Sequence, residues 1–239
     1  MSWERAEMQE AQVRSWVAAN FAVTADGKVS TAAGTSSQFT SPADKARLLR
    51  IRAEHDAVMI ARGTLEKDRM VLGVRDEALR ASRVRRGLPE EPLRVIISGS
   101  GRIPTDLPVF RYPGGPIVLY TTRRFSSREP AALEGNLTVQ VMGEQEVDLS
   151  ETLHHLRTVY RVRKLVCEGG PTLIRALAEL DLIDEIFLTV AAKLFGGSLA
   201  LTMTGLPGKF LPASRRFRLS DVKKGDNEIY LTYRKEACI

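Results

Sequence analysis

Two short strings in this chain of 239 residues carry the residue types that hold a phosphate against backbone. In Cys167-Glu168-Gly169-Gly170-Pro171-Thr172-Leu173 an apolar run ends, two glycines turn, and proline opens a helix. Only glycine lets the backbone approach a pyrophosphate this closely while a helix N-terminus points at it. Arg62-Gly63-Thr64-Leu65 is a second strand-to-helix turn, whose free N–H groups can collect an anion. A third feature, the stretch Ser98-Gly99-Ser100-Gly101-Arg102, offers hydroxyls and a guanidinium in a small flexible loop. Together the three suit a dinucleotide along its pyrophosphate and its 2′-phosphate. The bends at residues 63 and 169 to 170 are therefore expected to lie side by side and to cradle one ligand. The glycine fingerprint GxGxxG is absent, so the expected architecture is not the Rossmann one.

Two carboxylates accompany these bends. Asp68 follows Thr64 by four residues. Glu168 ends its strand just before the glycine pair, where it can reach a cleft without moving backbone, and is read as an orienting group for substrate. His55, His154 and His155 fall in helical segments outside the motifs and are given no role. Cys167 lies in an apolar strand and is read as packing, while Cys238 sits at the tail. With no CxxC pair and no nearby histidine pair, neither a zinc site nor a disulfide framework is expected.

The elements that must position these groups alternate between strand and helix patterns, which predicts an α/β fold. Strands are expected over Trp16 to Val23, Asp56 to Ala61, Pro92 to Ser98, Pro116 to Thr121, Leu137 to Met142, Lys164 to Cys167 and Asp184 to Val190. Asp26-Gly27 signals a turn after the first of them. Ser41, Pro42 and Asp44 supply an N-cap, a preset φ and a reciprocal acceptor for a helix burying Ala46, Leu49 and Ala53. Leu153, Leu156 and Tyr160 mark another helix, begun by Asp148 or Ser150. After the glycine pair, Leu173, Leu177 and Leu180 should face inward. Arg218 to Lys223 and Glu228 to Tyr233, joined through Gly225-Asp226-Asn227, read as a closing antiparallel hairpin.

The length and a hydrophobic content of 44% suit one core, so residues 1–239 are expected to form a single domain with residues 1–14 as an extension. No stretch approaches the roughly 20 apolar residues of a membrane span, and Met1 to Arg14 lacks the apolar core of a signal peptide. A cytoplasmic location follows as an expectation. The net charge of +6 predicts attraction to anions. Arg75, Arg80, Arg83, Arg85 and Arg86 form the densest basic run, read as a solvated helix and loop. It lacks the interleaved aromatics that nucleic-acid binding asks for.

The strings Asp56-Ala-Val-Met-Ile-Ala-Arg-Gly-Thr64, Pro92-Leu-Arg-Val-Ile-Ile-Ser98 and Glu168-Gly-Gly-Pro-Thr-Leu173, with Leu182-Ile-Asp-Glu-Ile186 behind, resemble in order and spacing the reductase domain of bacterial riboflavin-biosynthesis RibD proteins. The resemblance runs from about Trp16 to Arg234 and implies a dihydrofolate-reductase-like fold with a central, mostly parallel sheet. No His-x-Glu with Pro-Cys-x-x-Cys occurs, so the chain reads as a stand-alone reductase without the zinc-deaminase half. The activity so implied is NADPH-dependent reduction of C1′ in a phosphoribosylamino-pyrimidine, either the uracil or its diamino-pyrimidinone precursor, to a ribitylamino chain. Carried over by motif, Thr64, Asp68, Gly169, Gly170, Pro171, Thr172 and Leu173 bind the cofactor, and Asp68, placed as in the family's Thr-x-x-x-Asp, is the first candidate for proton chemistry. Val23 and Phe39 flank its nicotinamide, and Ser98, Gly99 and Ser100 approach its 2′-phosphate. Asn20, Ser37, Arg52, Leu72, Arg75 and Glu168 fall on the substrate side, with the arginine forks suited to the ribose phosphate.

The chain departs from the family pattern at four positions: Asn20 stands for a usual lysine, Arg69-Met70 for Asp-Pro, and Phe39 for a frequent tryptophan. The resemblance also implies a homodimer. A related reductase of a pterin or specialised metabolite is the second reading, and a non-catalytic nucleotide-binding or RNA-binding protein the third.

Overall fold

The computed structural model describes residues 13–31, 39–124, 137–205 and 210–236. Nine strands form one sheet: β1 (Trp16–Thr24), β2 (Ala57–Ala61), β3 (Leu93–Ile97), β4 (Ile117–Thr121), β5 (Leu137–Val141), β6 (Lys164–Cys167), β7 (Glu185–Ala191), β8 (Phe217–Lys224) and β9 (Glu228–Lys235), in the order β5-β4-β3-β2-β6-β1-β7-β9-β8. Strands β1 to β7 run parallel, as in the registers Ala19↔Cys167 and Met59↔Cys167. The last two form the antiparallel hairpin foreseen around Gly225, with β9 joined to β7. Six helices are described: α1 (Pro42–Glu54), α2 (Arg62–Asp68), α3 (Glu77–Arg85), α4 (Pro108–Arg111), α5 (Leu149–Thr158) and α6 (Pro171–Glu179).

Side chains alternate across each inner strand, so one sheet serves two cores. Val17, Ala19, Met59, Leu165 and Cys167 pack with Leu153 and Leu156 of α5 and Ile174 and Leu177 of α6. Val58, Ile60, Ile96 and Val166 point the other way, onto Ile51 of α1, Leu65 of α2, and Leu72. Cys167 is fully buried in this packing, and burial pushes its thiol up to about 12.

Local signals held in part. Ser41 caps α1 through its Oγ, which accepts the Asp44 N–H at 3.2 Å. Asp44 does not return the bond: its carboxylate accepts the Thr189 hydroxyl at 2.6 Å, and the Ser41 N–H goes to Glu228 at 2.7 Å. The helix start is thus tied to β7 and β9 rather than to itself. The inward face of α1 is Ile51, Arg52 and Ala53, with Ala46 exposed, because the helix presents a guanidinium to the core. Leu180 is 52% exposed, since α6 stops at Glu179 and the C-cap residue turns outward.

The basic run also needs a correction. Arg83 is fully buried, and its guanidinium donates to the carbonyls of Pro89, Arg52, Ala53 and His55. It closes the C-terminus of α1, where unsatisfied carbonyls and the helix dipole both favour a cation. Among the described residues no helix is long and apolar enough to cross a membrane, and no group of His, Cys, Asp and Glu is placed to hold a metal ion.

Candidate active site

In a parallel sheet the carboxyl ends of all strands share one edge, and clefts form there. The C-terminal ends of β1, β2 and β6 meet at such a place. The Ala61 N–H donates to the Gly169 carbonyl at 2.7 Å, so the two bends are directly joined. Gly169 has φ +97°, and a Cβ on it would press the Phe21 ring at 3.0 Å. A Cβ on Gly170 would collide with Thr64 Oγ1. Glycine is therefore required twice at 169–170, for chirality and for closeness. At residue 63 it is not required, because a Cβ there would meet open space; Ala61 and Thr64 make the junction.

Above this junction lies a cleft of about 270 Å³. Asn20, Thr64, Asp68, Glu168, Gly170 and Pro171 line it, all of them positions singled out from sequence. Four elements supply them: Asn20 comes from the middle of β1, Thr64 and Asp68 from the two ends of α2, Glu168 from just past the end of β6, and Gly170 and Pro171 from the N-cap and first turn of α6. The start of α6 brings backbone N–H groups without intrahelical partners to the cleft edge.

Glu168 presents the most constrained carboxylate of the site. Arg52 grips it with both prongs, Nε to Oε1 at 2.6 Å and Nη2 to Oε2 at 2.7 Å. The Arg52 side chain is 8% exposed and that of Glu168 4%. Burial works against the Arg52 charge, but the adjoining Glu168 carboxylate outweighs it and holds the guanidinium above its usual range. Arg52 is thus behind the cleft wall, neither on its lining nor on the helix surface.

The other expected residues are distributed more widely. Phe39 stacks edge-on against Phe195 at 5.1 Å, and Val23 is buried beyond Phe21; neither lines the cleft. Thr172 is exposed, and the side chain of Leu173 belongs to the core. Ser98 is buried with no hydrogen-bond partner for its Oγ, Gly99 accepts from the Thr122 hydroxyl at 2.8 Å, and Ser100 Oγ accepts from Arg62 at 3.4 Å. That loop therefore meets Arg62, the first residue of α2, and neither the loop nor Arg62 is on the cleft lining. Leu72 has φ +62° and a fully buried side chain in the core, so it offers no side chain to a ligand. Arg75 is exposed with its guanidinium over Tyr112 at 5.2 Å, away from the lining. Ser37 lies outside the described residues.

Sequence reasoning missed Lys45, Lys67, Phe21 and Met70, which also line the cleft. Lys67 stands one turn after Thr64 on α2, a spacing that places both on one helix face. Lys45 carried no comparable signal, because nothing in α1 alone says which side meets β6.

Comparison with known proteins gives the family. The RibD C-terminal domain family matches residues 15–231. The 2,5-diamino-6-ribosylamino-4(3H)-pyrimidinone 5′-phosphate reductase of Archaeoglobus fulgidus is 31% identical over 185 residues, 77% of this chain and 84% of that protein. Among solved structures, RibD from Acinetobacter baumannii is 26% identical with a TM-score of 0.74; the match covers 93% of this chain but 58% of that one. Dihydrofolate reductase from Enterococcus faecalis, at 14% identity and a TM-score of 0.51 over 94% of this chain and 100% of its own, shares the fold. With residues 15–231 matched to its model, the chain belongs to the RibD C-terminal domain family.

Proposed function

We propose that the protein is an NADPH-dependent reductase of the riboflavin pathway. It converts the ribosylamino group of a phosphoribosylamino-pyrimidine to ribitylamino. The observation that carries this reading is the fusion of the Gly169–Gly170 bend to Thr64 beneath a cleft that also holds Asp68 and Glu168. The relative named for the diamino-pyrimidinone supports that form of the substrate over its deaminated uracil.

The residues present fit the cofactor. Gly170 keeps the bend free of a side chain where the α6 start brings N–H groups without intrahelical partners, and Ser98 Oγ is a buried polar atom with no hydrogen-bond partner among the described residues. Thr64 and the backbone from Gly169 to Leu173 would hold the phosphates at the α2 and α6 starts, Asp68 would adjoin the cofactor from the other end of α2, and Ser98, Gly99 and Ser100 would meet the 2′-phosphate. Val23 and Phe39 are proposed beside the nicotinamide. When bound, NADPH supplies hydride to C1′ of the open-chain substrate.

The chain's own groups do the rest. Asp68 delivers a proton to the amino nitrogen, so that one hydride and one proton saturate the C1′–N bond. Glu168, fixed by Arg52, accepts from a substrate donor and orients the reacting carbon. Asn20 contributes a neutral amide on the β1 wall. Lys45 and Lys67, which make no ion pair among the described residues, supply positive charge along the lining for the substrate phosphate. Ser37, Leu72 and Arg75 remain proposed substrate neighbours through the family resemblance. We further propose a cytoplasmic homodimer in which residues 1–239 act as one domain.

The deciding assay follows NADPH consumption with both pyrimidine forms. Substrate-dependent oxidation with the diamino form is expected. Cofactor binding without turnover of either form would move the substrate elsewhere, and failure to bind NADPH would end the reading.

A further inference from the structure

The edge of the sheet opposite the cleft carries a second concavity. Trp16 opens β1, Lys164 opens β6 beside it in register, and Asp184 directly precedes β7. With Arg14, Arg157 of α5 and Arg163 they line a hollow of about 350 Å³. That volume falls within the roughly 300–1,000 Å³ of small-molecule sites. The hollow is separate from the cleft, because Trp16 and the cleft residue Asn20 stand about 13 Å apart along one strand.

The charges of the hollow do not balance. Among its lining residues Asp184 alone carries a carboxylate, and that carboxylate is fully engaged. Arg14 Nη2 donates to Oδ1 and Nη1 to Oδ2, both at 2.7 Å, and the Val17 N–H donates to Oδ2 at 2.8 Å. Arg14 and Asp184 thus cancel each other. Arg157, Arg163 and Lys164 remain, and none of their side chains makes a hydrogen bond or ion pair among the described residues. Their backbone is nonetheless fixed at the start of β6, where the Arg163 and Lys164 N–H groups donate to Asp56 Oδ2 at 2.7 and 2.9 Å. Three like charges gathered in one place repel, and a dianion between them removes that repulsion. Trp16 lies beside them 38% exposed, with an indole surface on which a flat ring can stack.

We infer that this hollow is a second binding site, for a phosphate monoester joined to a flat heterocycle, of which a mononucleotide is the simplest example. The phosphate carries a charge of about −2 at neutral pH, matching the cations left over once Arg14 and Asp184 have paired. Arginine forks on Arg157 and Arg163 suit its oxygens, and Trp16 takes the ring.

The test reads Trp16 directly. Trp3→Phe leaves Trp16 as the one tryptophan of the chain, and this variant is titrated with AMP by indole fluorescence, in saturating NADP+ so that the cleft is occupied. AMP should quench the emission saturably. Adenosine, and inorganic phosphate read by its competition with AMP, should each bind about tenfold or more weakly than AMP. Arg157→Gln combined with Arg163→Gln should weaken AMP binding about tenfold or more, and Lys164→Gln alone a few-fold. The urea midpoint and NADPH affinity should stay unchanged, because none of these side chains bonds to the fold or lines the cleft.

No quenching by AMP, phosphate that binds as tightly as AMP, or binding that the double variant leaves intact overturns the inference. A tetra-adenylate that binds about a hundredfold more tightly than AMP would make the hollow part of a nucleic-acid track and overturn it as well. The outcome is independent of the reductase reading: quenching needs no turnover, and the double variant locates AMP whether or not NADP+ enters the cleft.

Discussion

Thr64 and Gly170 stand so close that the threonine hydroxyl occupies the space a Cβ on the glycine would need. The contact joins residues more than a hundred positions apart and makes the floor of the cleft a single rigid piece. Gly170→Ala should therefore destabilise the protein by about 1–3 kcal/mol through overpacking and weaken NADPH binding at least tenfold. Gly63→Ala, into open space, should leave stability within about 0.5 kcal/mol and NADPH affinity unchanged. Urea melts and cofactor titration of both variants check the pair; a harmless Gly170→Ala would contradict the junction.

Asp68 lines the cleft from the last position of α2, where it can deliver a proton without helping to bury the cofactor's phosphates. Asp68→Asn should lower kcat by about 10²-fold or more while NADPH affinity stays within a few-fold. Equal activity in steady-state assays would remove Asp68 from the mechanism.

Lys67 is proposed as counter-charge for the substrate phosphate. Lys67→Met should raise KM for the phosphorylated substrate about tenfold with little change in kcat, the pattern of lost uniform binding. With the dephosphorylated compound the variant and wild type should match; a KM effect of equal size on both compounds would show that Lys67 does something else.

His55 is 3% exposed and its Nδ1 lies 2.6 Å from the Ile51 carbonyl, which can only accept, so Nδ1 carries the proton. Burial holds its pKa below the usual imidazole range, against the weaker pull of the Ile51 bond and of Glu54 and Glu185. The unfolded chain then binds a proton that the folded one refuses. Stability is complete above the unfolded value of about 6.5 and declines as pH drops below it, toward the folded value, by up to about 1.4 kcal/mol per unit of separation. His55→Asn should be less stable near neutrality yet lose less between about pH 7.5 and about pH 5.5 in urea melts. His155, also depressed by burial, contributes in the same window and remains in both proteins, so the difference reports His55.

Much of this arrangement was legible from neighbouring residues. Apolar runs with strand periodicity located the inner strands to within a residue or two, because a strand buried on both faces needs no partner to declare itself. Gly169-Gly170-Pro171 announced its bend and helix start for the same local reason. Asn20, Thr64, Asp68 and Glu168 then fell together because parallel strands deliver their C-terminal ends to one edge.

Where the reading missed, the cause was long-range. Charge in a sequence is ordinarily surface, so Arg83 was read as solvated; the α1 carbonyls it closes lie about 30 positions away, and Glu168, the partner that buries Arg52, lies 116 away. Ala46 and Leu49 looked inward by composition, but a helix packs by the face its neighbours leave open, and here that face carries Arg52. Leu180 fell one residue past the end of its helix.

By itself, the order of residues determined an α/β sheet closed by a hairpin, two phosphate-suited bends and a pair of carboxylates beside them, since each is written in adjacent positions. Only the tertiary structure decided that Thr64 meets Gly170 rather than Gly63 meeting Gly169, that Arg52 pairs with Glu168, and that lysines line the cleft. Those outcomes depend on how α1 and α2 seat against the sheet, a balance of packing and buried charge among groups far apart in the chain, which no short stretch of sequence can express.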